Sequence, residues 1–165
     1  MQLYLCRHGE AIDGTDDLED EERWLTQRGR VGVAEVGAIL REQGDVPDLI
    51  LTSPLVRATQ TAHDLAHALG YLQAIEVLPA LAPGGVLGAV LDALDDLSPE
   101  QRGVFLVGHE PQMSEWAATL LGRASFGRAF SKGGVLRLNW TGRPKAGTGR
   151  GAFYLSPAQL RPVPV

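Results

Sequence analysis

Cysteine is almost missing from this 165-residue chain; Cys6 stands alone. A single thiol makes no intrachain disulfide and no cysteine-built zinc site. Long apolar runs are missing too. None nears the ~18 residues that a membrane-spanning helix needs, and the N-terminal run Leu3-Tyr4-Leu5-Cys6 meets Arg7 before it could form a signal-peptide core. These absences lead us to expect a soluble, cytoplasmic protein with no membrane partner. Acidic residues are missing from positions 116–165, which hold eight basic ones, whereas positions 1–115 hold 20 acidic and seven basic. The net charge of −5 argues against nucleic acid as a partner. Nothing is lacking for a core: 44% of residues are hydrophobic, and the length suits one domain spanning 1–165. Twenty glycines and ten prolines point to many turns.

Short apolar runs alternate with helical stripes. Leu3–Cys6, Asp48–Thr52, Ala74–Leu78 and Gly103–Gly108 read as buried strands. Between them, Thr26 caps a helix reaching Gly44, and Ser53-Pro54 reads as an N-cap and first-turn proline for a helix ending at Gly70. Val86–Leu97 and Met113–Leu121 complete the helices. Val135–Trp140 and Ala152–Leu155, joined by a Gly/Arg/Lys loop at 142–151, read as an antiparallel hairpin. The expected fold is a three-layer α/β/α sandwich: a mostly parallel sheet with a C-terminal antiparallel hairpin at its edge. The stretch from Asp13 to Glu22, with seven carboxylates, reads as a solvated loop, placed where it could contact a partner or repel acidic competitors.

In such sheets ligands bind at the carboxyl ends of the strands. Arg7-His8-Gly9-Glu10 follows the first strand, Ser53-Pro54-Leu55-Val56-Arg57 the second, and Gly108-His109-Glu110-Pro111 the fourth. Parallel strands would bring two arginines and two histidines onto one rim. Guanidiniums beside a helix N-terminus suit a phosphoryl group. One imidazole there can attack phosphorus while another donates hydrogen bonds, and the arginines supply positive charge without a metal or other cofactor.

The same segments carry a resemblance. Arg7-His8-Gly9-Glu10, Ser53-Pro54-Leu55-Val56-Arg57-Ala58-Thr59-Gln60-Thr61-Ala62 and Leu106-Val107-Gly108-His109-Glu110-Pro111 resemble, in order, three motifs of the histidine phosphatase (phosphoglycerate mutase-like) superfamily. Leu25-Thr26-Gln27-Arg28-Gly29, Glu76-Val77-Leu78-Pro79 and Lys132-Gly133-Gly134-Val135 resemble its SixA-type phosphohistidine phosphatases. The resemblance implies that His8 is the nucleophile and that Arg7, Arg57 and His109 hold the phosphoryl oxygens. Ser53, Glu110 and Lys132 are candidate substrate contacts, although Lys132 reads equally well as plain surface.

One departure bears on the substrate. Many members of the superfamily place a glutamate acid after the third strand, where this chain has Ala80. An alkoxide leaving group needs a proton, its conjugate acid resembling water with a pKa of about 15.7. Protonated phosphohistidine releases a neutral imidazole, whose conjugate acid has a pKa of about 6.5, so that cleavage needs far less acid assistance. Short connections also leave the rim open to a protein surface. The expected activity is removal of phosphate from a phosphohistidine on a protein, through phospho-His8 and then water. Glu10, Glu76 and Glu110 are alternative acids. The rival readings are a small-molecule phosphomonoesterase, a non-catalytic phosphohistidine-binding module and, more remotely, a mutase. Other motifs are set aside. His63 and His67 have helical zinc spacing but no third ligand, and Ile12 stands where a thiol-phosphatase loop would need its arginine. The glycines at 147, 149 and 151 form no nucleotide-binding fingerprint.

Overall fold

The computed structural model describes residues 1–14 and 18–165. Thr15, Asp16 and Asp17, which belong to the expected acidic loop, lie outside the described residues. Seven strands form one sheet: β1 (Gln2–Arg7), β2 (Leu49–Thr52), β3 (Ile75–Val77), β4 (Gly103–Gly108), β5 (Val135–Asn139), β6 (Arg150–Ser156) and β7 (Gln159–Pro164), in the order β3-β2-β4-β1-β5-β6-β7. The first four pair in parallel and the last three antiparallel, as the alternation of strand and helix predicts. The expected hairpin is β5–β6, but it is not the last of the sheet. β7 adds to its outer side through polar, proline-bearing chain that carries no strand signature.

Side-chain alternation along β1 sets the two cores. Leu3 and Leu5 face α3 (Leu87–Asp95) and α4 (Gln112–Leu121), packing with Val90, Leu94, Met113, Trp116 and Leu120. Tyr4 and Cys6 face α1 (Gln27–Glu42) and α2 (Val56–Leu69), packing with Val33, Val36, Leu40, Ala62 and Leu65. The result is the expected α/β/α sandwich. Cys6 is buried and free, and burial raises its thiol pKa to about 12, so it is core filling rather than a nucleophile.

Local signals position the helices. Thr26 caps α1 as expected, its hydroxyl accepting from Gly29 N at 2.9 Å. α2 differs from expectation: it begins at Val56, with Leu55 in the cap position and no side-chain cap. The Ser53 hydroxyl bonds to His109 instead. Both α2 and α4 end on a left-handed glycine, Gly70 and Gly122. No helix among the described residues is long and apolar enough to cross a membrane.

Candidate active site

β2, β4 and β1 are adjacent, and their carboxyl ends are level: Thr52 stands opposite Val107, and Gly108 opposite Arg7. The next residues along each strand, Ser53, His109 and His8, therefore emerge side by side. Two further ladder bonds extend this register, His8 N to Gly108 O at 3.0 Å and Ser53 N to Val107 O at 2.9 Å. The His8 and His109 rings lie 5.1 Å apart, centroid to centroid. Arg57, in the first turn of α2, completes a buried group of His8, His109, Ser53 and Arg57.

The hydrogen bonds fix what each ring can do. His8 Nδ1 lies 2.8 Å from the carbonyl of Gly9. A carbonyl only accepts, so Nδ1 carries the proton and Nε2 keeps its lone pair. Burial, reinforced by His109, Arg57 and Arg7, lowers the His8 pKa to about 3 against the opposing pull of the Gly9 carbonyl. His8 is thus a neutral imidazole with one nucleophilic nitrogen at neutral pH. His109 Nε2 lies 2.8 Å from Ser53 Oγ, which also accepts from Leu55 N at 3.3 Å. We assign the serine proton to His109 Nε2, an arrangement that leaves His109 Nδ1 as a donor. Burial first, then Arg57 and Arg7, lowers the His109 pKa to about 4, with Asp20 opposing.

Among the described residues, two buried side-chain atoms have no hydrogen-bond partner: His109 Nδ1 and Arg7 Nε. Buried donors without partners are costly and therefore rare. Both belong to this cluster, the arrangement expected where an anion is to be bound. Arg7 is otherwise anchored, its Nη1 donating to Phe130 O at 2.6 Å.

The surrounding loops are tied to the cluster. Gly9 N donates to Thr61 Oγ1 at 3.0 Å, and Thr61 Oγ1 donates to Arg57 O at 2.6 Å, joining the β1 loop to α2. Gly29 allows α1 to approach that loop, because a Cβ there would stand 2.1 Å from Glu10 O. Gly133, at φ +73°, donates its N–H to both Arg7 O and His8 O, at 3.1 and 2.9 Å.

The remaining candidates occupy different stations. Ser53 is fully buried and bonds to His109, so its hydroxyl serves the ring. Glu110 accepts from Ser114 N at 3.1 Å, from Ser114 Oγ at 2.6 Å and from Phe130 N. It therefore pins the segment whose carbonyl holds Arg7. Glu10 accepts from Thr26 Oγ1 at 3.1 Å and lies 3.8 Å from Arg28 Nε, at the start of α1. Lys132 and Glu10 both line a cavity of about 630 Å³ with Arg28, Glu35 and Pro157, to which Arg7, His8, Ser53, Arg57 and His109 contribute no lining. Glu76 is exposed on β3. Ala80 sits in a 3-10 turn, Pro79–Leu81, directly after β3. No residue from Val77 to Leu91 has an ionisable side chain. His63 and His67 are exposed on α2, and no group of three or more His, Cys, Asp or Glu among the described residues is placed to hold a metal ion.

Three residues that shape the site escaped the sequence reading: Thr61, Phe130 and Asp20. Phe130 acts through its backbone, which no side-chain pattern reveals. Asp20 lies in the acidic stretch and bonds to Arg57; its spacing from Arg23, three residues on, does not set it apart from its acidic neighbours in the sequence.

Comparison with known proteins shows the family and the fold. The sequence model of the histidine phosphatase superfamily (branch 1) matches residues 3–83. Phosphohistidine phosphatase SixA of Escherichia coli is 32% identical over 121 residues, covering 73% of this chain and 74% of that protein. An uncharacterized protein of Picosynechococcus is 40% identical over 168 residues, covering 98% of this chain and all of that one. Among solved structures, the protein histidine phosphatase SixA complexed with tungstate superposes with a TM-score of 0.85 at 28% identity, covering 98% of this chain and all of that one.

Proposed function

The chain belongs to the histidine phosphatase superfamily as a SixA homologue, and from that premise we propose that this phosphatase hydrolyses phosphohistidine on a protein, with His8 as the transient phosphoryl carrier. Arg7, Arg57 and His109 hold the transferring oxygens, and they do so without a metal ion. His8 Nε2 attacks phosphorus in line, forming one P–N bond as the substrate's P–N bond breaks. A substrate imidazole protonated on its far nitrogen leaves as neutral imidazole. His8, already protonated on Nδ1, becomes the equivalent phosphoimidazolium, so no proton moves. Water then attacks phosphorus, the P–N bond to His8 breaks, and dihydrogen phosphate leaves with both water protons. His8 returns with Nδ1–H bonded to Gly9.

The observation that carries the choice of substrate is the lack of any ionisable side chain from Val77 to Leu91, Ala80 included. Transfer between two imidazoles needs no acid there, whereas departure of an alkoxide does. The reading places the reaction in the cytoplasm, on a phosphorylated signalling domain able to approach an open rim. Substrate profiling tests it. Phosphohistidine or phosphoramidate should turn over well ahead of alkyl phosphates, and the wild-type protein should yield an acid-labile phosphoenzyme that His8→Ala lacks. A preference for alkyl phosphates would overturn the substrate assignment. A phosphoenzyme that persists in His8→Ala would overturn the mechanism.

A further inference from the structure

The described part of the acidic stretch, read from sequence as solvated, reaches the site at Asp20. Asp20 opens a 3-10 turn, Asp20–Glu22. Its backbone carbonyl accepts from Arg57 Nη1 at 2.5 Å and its Oδ2 accepts from Arg57 Nη2 at 2.8 Å. Its other carboxylate oxygen accepts from Arg23 Nη1 at 2.9 Å, and Arg23 Nε donates to Ile12 O at 2.7 Å. The turn is thus tied back to the segment that follows His8. The Arg57 side chain is 6% exposed and that of Asp20 59%. A surface carboxylate reaches inward to a buried guanidinium.

Two acceptors from one residue, bonded to two nitrogens of one planar group, fix the orientation of that plane as well as its position. A long side chain held in this way has less freedom to lose when an oxyanion arrives. We propose that Asp20 is a positioning residue for Arg57, holding the guanidinium plane against which the phosphoryl oxygens rest and thereby making the Asp20–Glu22 turn one wall of the site. Asp20 is not the missing acid, because hydrogen bonds from Arg23 and Arg57 hold its carboxyl below the ordinary value and keep it ionised. A competing role is open to test: a carboxylate on a phosphate-binding arginine could merely obstruct the anion. The two roles predict opposite signs.

The inference rests on Arg57 binding the phosphoryl group, but not on which phosphorylated molecule is the substrate. Tungstate, which needs no turnover, is therefore the probe, with binding measured by calorimetry on wild type, Asp20→Ala, Asp20→Asn and Arg57→Ala. A positioning role predicts that Asp20→Ala binds tungstate about tenfold more weakly. Asp20→Asn can keep both acceptors toward Arg57 but gives up the oxygen that accepts from Arg23, so it should bind tungstate more tightly than Asp20→Ala. In an Arg57→Ala background, Asp20→Ala should have no further effect. Binding by Asp20→Ala that equals wild type would overturn the proposal, binding that exceeds it would do so in favour of obstruction, and an undiminished loss in the Arg57→Ala background would overturn it by showing that Asp20 does not act through Arg57. No tungstate binding by wild type, or binding indifferent to Arg57→Ala, would overturn the oxyanion site itself and the proposal with it.

Discussion

Lowering the pH from 7 to 5 should destabilise this protein through two particular rings. In the unfolded chain an imidazole takes up a proton near pH 6.5. In the folded protein, burial, then the neighbouring charges, holds His8 to about 3 and His109 to about 4. Between those limits the unfolded chain binds more protons, so the stability these rings confer is complete above about pH 6.5 and is lost as the pH falls toward their folded values. The size of the loss is set almost wholly by the unfolded value, because both folded values lie below pH 5. It comes to roughly 2 kcal/mol for each ring and about 4 kcal/mol for the pair. Against a typical stability of about 5–15 kcal/mol that is easily measured. Asp20 does not confuse the window: its carboxyl is held low mainly by Arg23, so its contribution is lost only at more acidic pH. Urea denaturation at pH 7, 6 and 5 provides the assay. His8→Gln and His109→Gln should each remove about half of the pH-dependent loss. Equal pH dependence in wild type and both variants would refute the claim that these rings are held neutral by burial, and with it the neutral His8 nucleophile.

Ser53→Ala removes the partner of His109 Nε2; it should cost about 1–3 kcal/mol of stability and lower kcat roughly tenfold through loss of one oriented donor, read by thermal melting and single-turnover phosphate release. Glu110→Ala frees Phe130 N and with it the carbonyl that holds Arg7. Its steady-state signature should be a raised KM, with a stability loss of about 1–3 kcal/mol, while Glu110→Gln retains part of both. Ala80→Glu supplies a carboxyl where the segment has none; relative kcat/KM on an alkyl phosphate and on phosphoramidate should shift toward the ester by about tenfold or more.

The parallel half of the fold and the rim residues were legible because each is announced by local chemistry. Leu3–Cys6 and Gly103–Gly108 are apolar runs buried on both faces, and Arg7, His8, Arg57 and His109 follow strands in a pattern that topology alone brings together. β7 was illegible because its pairing is made by backbone. Gln159, Leu160 and Arg161 are exposed, and Pro162 and Pro164 are tolerated only because the strand is an edge. Ser53 shows how tertiary demand overrides a local rule. Ser-Pro before a helix is a sound capping signal, yet the hydroxyl that would cap α2 is taken by His109 Nε2, and the helix starts three residues later without a side-chain cap. Asp20 is the opposite case, because in a run of seven carboxylates each looks interchangeable with the rest. Only the fold, by setting that turn against the start of α2, distinguishes it. The candidate catalytic groups can thus be picked out in the sequence because their residue types are rare after strands. The groups that orient them are common residue types and backbone carbonyls, distinguished only by position, which is why variants at Ser53, Asp20 and Glu110 test the structural argument more sharply than another change at His8.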